Sequence, residues 1–123
     1  MEKIDLENRL IDFSVLIIDI VNEIPKTFAG TNLAGQLVRS GTSPALNYGE
    51  AQGGESRKDF IHKLKIVVKE LHETYICLKI IHKAKLYKNE EKILKATKEC
   101  NELISIFVKS IETAKQNLKY EKT

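Results

Sequence analysis

Apolar residues recur at alternating steps of three and four along most of the chain, and this spacing constrains the fold more than any other feature. The first segment has them at Leu6, Leu10, Phe13, Ile17, Ile20 and Ile24. The alternation of apolar and polar residues that is typical of strands never lasts more than a few positions. The chain is therefore predicted to be helical nearly throughout, with each helix burying one apolar stripe.

Two prolines interrupt this pattern in the first half of the chain. Pro25 ends the first helix, because proline cannot continue a helix interior. Thr31 is predicted to cap the second helix, and Pro44 in its middle is predicted to kink it or to break it locally. The apolar side of this helix is formed by Leu33, Ala34, Leu37, Val38, Ala45, Tyr48 and Ala51.

Capping residues divide the second half into two long helices. Gly53 and Gly54 end the second helix, and Ser56, three residues before Asp59, begins a third that runs to about Tyr87. Its core stripe is Phe60, Leu64, Val67, Leu71, Leu78 and Ile81. A fourth helix is capped by Asn89 and carries Ile93, Ala96, Cys100, Leu103, Phe107, Ile111, Ala114 and Leu118.

Short connections make consecutive helices antiparallel. The predicted fold is all-α: a single domain over residues 1–123, an antiparallel up-down-up-down four-helix bundle with a charged tail from about residue 119. The sequence contains neither a membrane-length apolar run nor a secretory pattern, so a cytoplasmic protein is expected. Cys77 and Cys100 stand among apolar residues at helical spacing, which favours reduced, buried thiols.

A second set of apolar residues lies outside the core stripes. Ile61, Val68 and Tyr75 follow one another at steps of seven on the third helix, and Ile11 and Ile18 do so on the first. A monomeric bundle of this size has no obvious place to bury them. Contact with another copy of the chain is the simplest explanation, so homo-oligomerisation is predicted.

Charge is divided unequally along the chain. Residues 1–50 carry a net charge of −3 and residues 51–123 a net charge of +6. A basic surface of this kind favours a polyanion such as RNA or DNA, or a protein that handles nucleic acid, although exposed lysines also serve solubility alone. The candidate contacts are Arg57, Lys58, Lys63, Lys65, Lys69, Lys79, Lys83 and Lys85.

The segment LVRSGTSPALNYGEAQGGESRKDFIHKLKIVVKEL, residues 37–71, resembles the four-helix-bundle family encoded by intervening sequences of bacterial 23S rRNA genes. The matching positions are Arg39, Ser43, Asn47, Glu50, Gly53, Ser56, Asp59 and Phe60. The resemblance implies ring-shaped homopentamers of antiparallel bundles, a group with no established enzymatic activity, and we expect no cofactor. It extends to the accessory protein of diversity-generating retroelements, a basic pentamer that associates with a reverse transcriptase and nucleic acid. The chain departs from the family pattern at Tyr48, Gly49 and Ala51, and also at Gly54 and Glu55, which replace the usual basic residue after the turn glycine.

Part of this motif forms one polar ribbon on the second helix. If that helix is straight, five polar side chains fall within about 80° of one another. They are Gln36, Arg39, Ser43, Asn47 and Glu50. An ordinary solvated face explains such a ribbon, but its amides, hydroxyl and oppositely charged pair favour a buried or interfacial network.

Catalytic and metal-binding patterns are weak. His62, His72 and His82 are ten residues apart, so they point in different directions and cannot share one metal ion. Arg57 and His62 have the spacing found in some small helical ribonucleases, with His62 as general base and Arg57 as phosphate anchor. The two lie about 140° apart on a helix, so this chemistry requires Arg57 to reach back from the helix start. A non-enzymatic module is therefore the leading prediction, and a metal-independent ribonuclease is the alternative.

Overall fold

The computed structural model describes residues 3–54 and 56–121 and contains four α-helices. They are α1 (Lys3–Glu23), α2 (Phe28–Gln52), α3 (Arg57–Lys83) and α4 (Glu90–Glu121). Each helix packs against the one before and after it in the chain, and α4 closes the bundle against α1. The predicted all-α four-helix bundle is confirmed, and both described stretches are free of strands. Within them, no helix is both long enough and apolar enough to span a bilayer.

The predicted apolar stripes form the core. Leu10, Ile17, Leu64, Leu103 and Phe107 are fully buried, as are most of the other stripe residues. The ring of Tyr48 meets that of Phe107 edge-on, with the centroids 5.2 Å apart and the planes at 75°. Phe60, Ile111 and Leu118 were predicted to lie in the core, but they are only partly buried.

Two predicted helix ends are wrong. Helix α2 is capped by Thr27, whose hydroxyl accepts a hydrogen bond from the amide of Gly30 at 3.0 Å. Thr31 is already inside the helix, since its own amide donates to the Thr27 carbonyl. Helix α3 ends at Lys83, short of Tyr87, because Lys85 takes a left-handed conformation with φ of 57°.

Two other caps are confirmed. The side chain of Ser56 accepts a hydrogen bond from the amide of Asp59 at 3.1 Å, and that of Asn89 accepts one from Lys92 at 3.0 Å. The charged tail was predicted to begin at about residue 119, but α4 continues through Glu121. Residues 122–123 of that tail, and the departure from the family pattern at residue 55, lie outside the described residues.

The turn between α3 and α4 is fixed to the end of α1. Buried Tyr87 donates a hydrogen bond to the Glu23 carboxylate at 2.7 Å, and the ammonium of Lys92 lies 3.2 Å from the same oxygen. The hydrogen bond from Tyr87, aided by Lys92, lowers the pKa of Glu23. A second link between α1 and α4 joins Arg9 to Glu99 through two hydrogen bonds of 2.7 Å.

Helix α2 is not broken at Pro44, which lies buried inside a continuous helix. One turn earlier, Gly41 brings α2 close to α1. A Cβ atom at Gly41 would lie 2.8 Å from Cγ2 of the fully buried Ile17. The hydroxyl of Ser14 lies 2.9 Å from the Leu10 carbonyl and 3.3 Å from that of Gly41. The contact between α1 and α2 therefore requires a residue without a side chain at position 41.

Both cysteines are free and buried, which confirms their predicted burial. Burial raises the pKa of Cys100 to about 12 and also raises that of Cys77. Each sulfur faces a backbone carbonyl, Leu71 for Cys100 at 3.2 Å and Leu33 for Cys77 at 3.7 Å. The two thiols serve as small packing groups in the core.

The Gly41→Ala variant tests the contact between α1 and α2. Overpacking against Ile17 costs about 1–3 kcal/mol, which exceeds the gain of about 1 kcal/mol from the better helix former. We expect a lower urea midpoint. Gly35→Ala is the matched control on the same helix, because a Cβ there meets no atom within 4 Å, and it should raise the midpoint. A Gly41→Ala variant as stable as Gly35→Ala would contradict the contact.

Candidate nucleic-acid interface

Three exposed lysines lie on the outer side of the first half of α3. Lys58, Lys65 and Lys69 fall within about 40° of one another and span about 16 Å along the helix axis. None of them forms an ion pair with any residue in the described ranges 3–54 and 56–121. We call this row the α3 basic face.

The other five predicted contacts lie elsewhere or are engaged within the chain. Lys63 is ion-paired with Glu50 at 2.6 Å, and the Lys79 ammonium stands 5.2 Å from the centre of the Tyr75 ring. Partly buried Arg57 lines a groove at one end of the bundle. Lys83 and Lys85 are exposed at the far end of α3 and in the following turn. The structure thus brings three of the eight residues together as one row.

The charged members of the polar ribbon on α2 pair with α3 and not with each other. The guanidinium of Arg39 contacts Glu70 at 3.1 Å and also contacts Glu73. Glu50 contacts Lys63, thirteen residues away. The ribbon therefore follows the boundary between α2 and α3, where its ion pairs help to fix the two helices side by side.

The uncharged ribbon residues bond within α2. The amide of Asn47 donates to the Ser43 hydroxyl at 2.8 Å and to the Ser43 carbonyl at 3.1 Å, and that of Gln36 donates to Asn32 at 2.7 Å. Ser43 and Asn47 are half-buried, whereas Gln36, like Arg39 and Glu50, is exposed. The ribbon is not a buried network within one chain, and its role in a contact between subunits stays a prediction.

A buried polar pair that the sequence interpretation missed lies behind this ribbon. The hydroxyls of Ser40 on α2 and Thr74 on α3 are fully buried and stand 2.9 Å apart. Thr74 also lies 2.8 Å from the Glu70 carbonyl, one turn back. Each residue places a small hydroxyl within an otherwise apolar stripe. The presence of one such residue on each of two neighbouring helices is the sequence signal that could have predicted the pair. The pair fixes the register between α2 and α3.

The second apolar stripe is largely buried on α3 but exposed on α1. On α3, Ile61 is buried, and Val68 and Tyr75 pack against the core of the same chain. The expectation that this stripe has no place in a single bundle is therefore wrong. On α1 the exposed fractions of Ile11, Val15 and Ile18 are 47%, 52% and 40%. We call these three residues the α1 outer stripe.

The two residues of the ribonuclease hypothesis do not line the same groove. Arg57 shares its groove with Leu6, Phe60 and Ile106, whereas His62 is exposed and does not line it. In the described part of the chain, no three His, Cys, Asp or Glu residues cluster closely enough to hold a metal ion.

The model of the family described as 23S rRNA-intervening sequence protein matches residues 2–109, which include α1 to α3 and most of α4. The chain belongs to this family. The resemblance inferred from residues 37–71 is thereby confirmed for the 23S rRNA-intervening sequence protein family.

A solved structure supports the fold of this family member. It is the crystal structure at 1.70 Å of a protein of unknown function from the S23 ribosomal protein family of Bacteroides thetaiotaomicron. The two chains are 26% identical, with a TM-score of 0.82 over 91% of this chain and 99% of the other. No match is found among curated proteins.

The buried hydroxyl pair is testable by a double-mutant cycle of Ser40→Ala and Thr74→Val. Either single change removes the hydrogen bond between the two hydroxyls and leaves the other hydroxyl only a carbonyl of its own helix, so we expect each to cost about 1 kcal/mol in unfolding free energy. The double variant should be less destabilised than the sum of the two singles, because neither hydroxyl remains. Urea denaturation measures all four proteins, and additive losses would contradict the coupling.

Proposed function

We propose that this member of the 23S rRNA-intervening sequence protein family is a non-enzymatic, homo-oligomeric module of the cytoplasm that binds RNA. The observation that carries the proposal is the α3 basic face, with three exposed lysines in one row and no ion pair to a described residue. The basic groups at the boundary between α2 and α3 are, by contrast, neutralised. Lys63 faces Glu50, and Arg39 faces two carboxylates.

Physical chemistry favours a phosphate backbone as the ligand. Each lysine that neutralises a phosphate releases a condensed counterion, so affinity falls steeply with salt. A straight row about 16 Å long suits several successive phosphates and carries no means of reading bases. Binding without strong sequence preference is therefore the expected mode. RNA is the first probe because the family description and the neighbour's name both refer to ribosomal components.

Oligomerisation would multiply this weak site. Three phosphate contacts give modest affinity in one subunit, but linked copies bind a long RNA with a high effective concentration. The α1 outer stripe supports a contact between copies, because monomers rarely expose three neighbouring aliphatic side chains in a row. Five copies are expected from the resemblance to pentameric relatives.

Salt titration of RNA binding tests the α3 basic face. With three phosphate contacts per subunit to a single strand, log K should fall against log salt with a slope of about −2 or steeper. The Lys58→Ala, Lys65→Ala, Lys69→Ala triple variant should lose most of the affinity and most of the slope. Fluorescence anisotropy with a labelled single-stranded RNA measures both quantities.

A matched control distinguishes a loss of the α3 basic face from a general loss of positive charge. Lys95, Lys98 and Lys109 are exposed on α4, and replacing all three by Ala removes the same charge from another surface. This variant should keep most of its affinity. Equal losses in the two triple variants would overturn the assignment to α3. Failure of the wild type to bind RNA or DNA even at low salt would overturn nucleic-acid binding and leave a protein partner in its place.

The non-enzymatic part of the proposal has its own test. Labelled RNA incubated with the wild-type protein should remain intact, because Arg57 and His62 do not share a groove. Gel electrophoresis of the RNA gives the readout. Cleavage that disappears in His62→Ala, while the Lys95→Ala control still cleaves, would establish the ribonuclease alternative.

A further inference from the structure

Two of the apolar surfaces that the packing of the described chain leaves uncovered are flanked by charges of opposite sign. The first is the α1 outer stripe. The second is a groove between α2 and α3, formed by Leu33 together with Ile76 and Ile80, whose exposed fractions are 54% and 47%. We call it the α2–α3 groove. Its position differs from that of the α3 basic face, because Ile76 lies about 10 Å further along the helix than Lys69.

These two surfaces carry opposite charge. Exposed Asp12 and Asp19 flank the α1 outer stripe, and they are seven residues apart on one side of the helix. Exposed Lys79 and Lys83 flank the α2–α3 groove, three and seven residues beyond Ile76. Glu73, the acidic residue that lines the groove, is already paired with Arg39. Lys95 of α4 lines grooves with both aspartates but forms no ion pair with either among the described residues. An apolar stripe with an acidic edge therefore faces outward from one helix and a basic apolar groove from another.

The two surfaces cannot meet within one chain. Helix α1 packs against α2 and α4, and α3 stands diagonally across the bundle from it. The α1 outer stripe points away from the core residues Leu10 and Ile17, by about 120° on the helix wheel. A contact between stripe and groove therefore requires a second copy.

A symmetric contact between two α1 outer stripes is less favourable. An antiparallel pair of α1 helices would bring Asp12 of one copy towards Asp19 of the other, and like charges repel across such a contact. Contact between stripe and groove instead places carboxylates beside ammonium groups while it covers both apolar surfaces. It is also head-to-tail, the arrangement that generates closed rings.

We propose that the α1 outer stripe of one copy docks in the α2–α3 groove of the next, with Asp12 and Asp19 beside Lys79 and Lys83. The inference rests on the homo-oligomer of the proposed function and names its two surfaces. Each subunit uses one surface of each kind, so a ring leaves neither uncovered. The α3 basic face lies beyond the groove and stays open to RNA.

Two variants, each blocking one surface, test the arrangement. Val15→Arg places a cation in the α1 outer stripe, and Ile80→Asp places an anion in the α2–α3 groove. Both side chains are about half-exposed, so the fold should persist, as circular dichroism can check. In light scattering each variant alone should have the mass of one 14.0 kDa chain. An equimolar mixture should form a dimer of about 28 kDa and nothing larger, because only one intact stripe and one intact groove can meet.

Leu94→Arg is the matched control. Leu94 is 45% exposed on α4, outside both surfaces, and this variant should keep the wild-type mass. A wild-type oligomer that either Val15→Arg or Ile80→Asp leaves intact overturns the inference and leaves the oligomer of the proposed function standing. Two monomeric variants that fail to form a dimer on mixing also overturn it. A monomeric wild type overturns the oligomer itself, whereas RNA binding is scored separately by its salt slope.

Discussion

Helix α2 is held on two sides at nearly the same height, and the other surfaces of the molecule depend on this double contact. On one side Gly41 lets the backbone approach Ile17 of α1. On the other side Ser40, its neighbour in sequence, meets Thr74 of α3. The close contact at Gly41 and the buried hydroxyl pair each allow only one relative position of the two helices that they join. Helices α1 and α3 are therefore fixed relative to each other through α2.

This arrangement decides which side chains face outward. With α2 between them, α1 and α3 present their outer sides in different directions. The side of α1 is apolar and acidic, and that of α3 changes from basic lysines to an apolar groove along its length. At the surface, Arg39 and Glu50 also hold α2 against α3, since both form ion pairs with residues of α3. The proposed RNA contact and the proposed contact between copies therefore use different parts of α3.

Periodicity alone predicted the fold because every helix buries one continuous stripe, and local chemistry predicted the caps at Ser56 and Asn89. The cap prediction failed at Thr31 because Thr27 offers the same hydroxyl one turn earlier, two residues after Pro25. The prediction that α3 runs to about Tyr87 failed because Lys85, which is not a glycine, takes the left-handed conformation in the turn after the helix. The first error arises where a local signal has two equivalent positions, and the second where no glycine marks the end of the helix.

The candidate site was less accessible from the sequence. A helical wheel shows that Arg39 and Glu50 share one side of α2, but only the packed structure shows that α3 supplies their partners. It likewise cannot separate Ile61, which is buried inside the chain, from Ile11, which is exposed. Spacing gives the direction of a side chain, and the neighbouring helix decides what it meets.

The central claim is that this chain is a subunit and not a self-contained domain. The most direct measurement is the absolute mass of the wild-type protein by multi-angle light scattering at micromolar concentration. A single species of about 70 kDa, the mass expected for five chains of 14.0 kDa, is the predicted result. A species of 14.0 kDa that does not change with concentration would contradict the account.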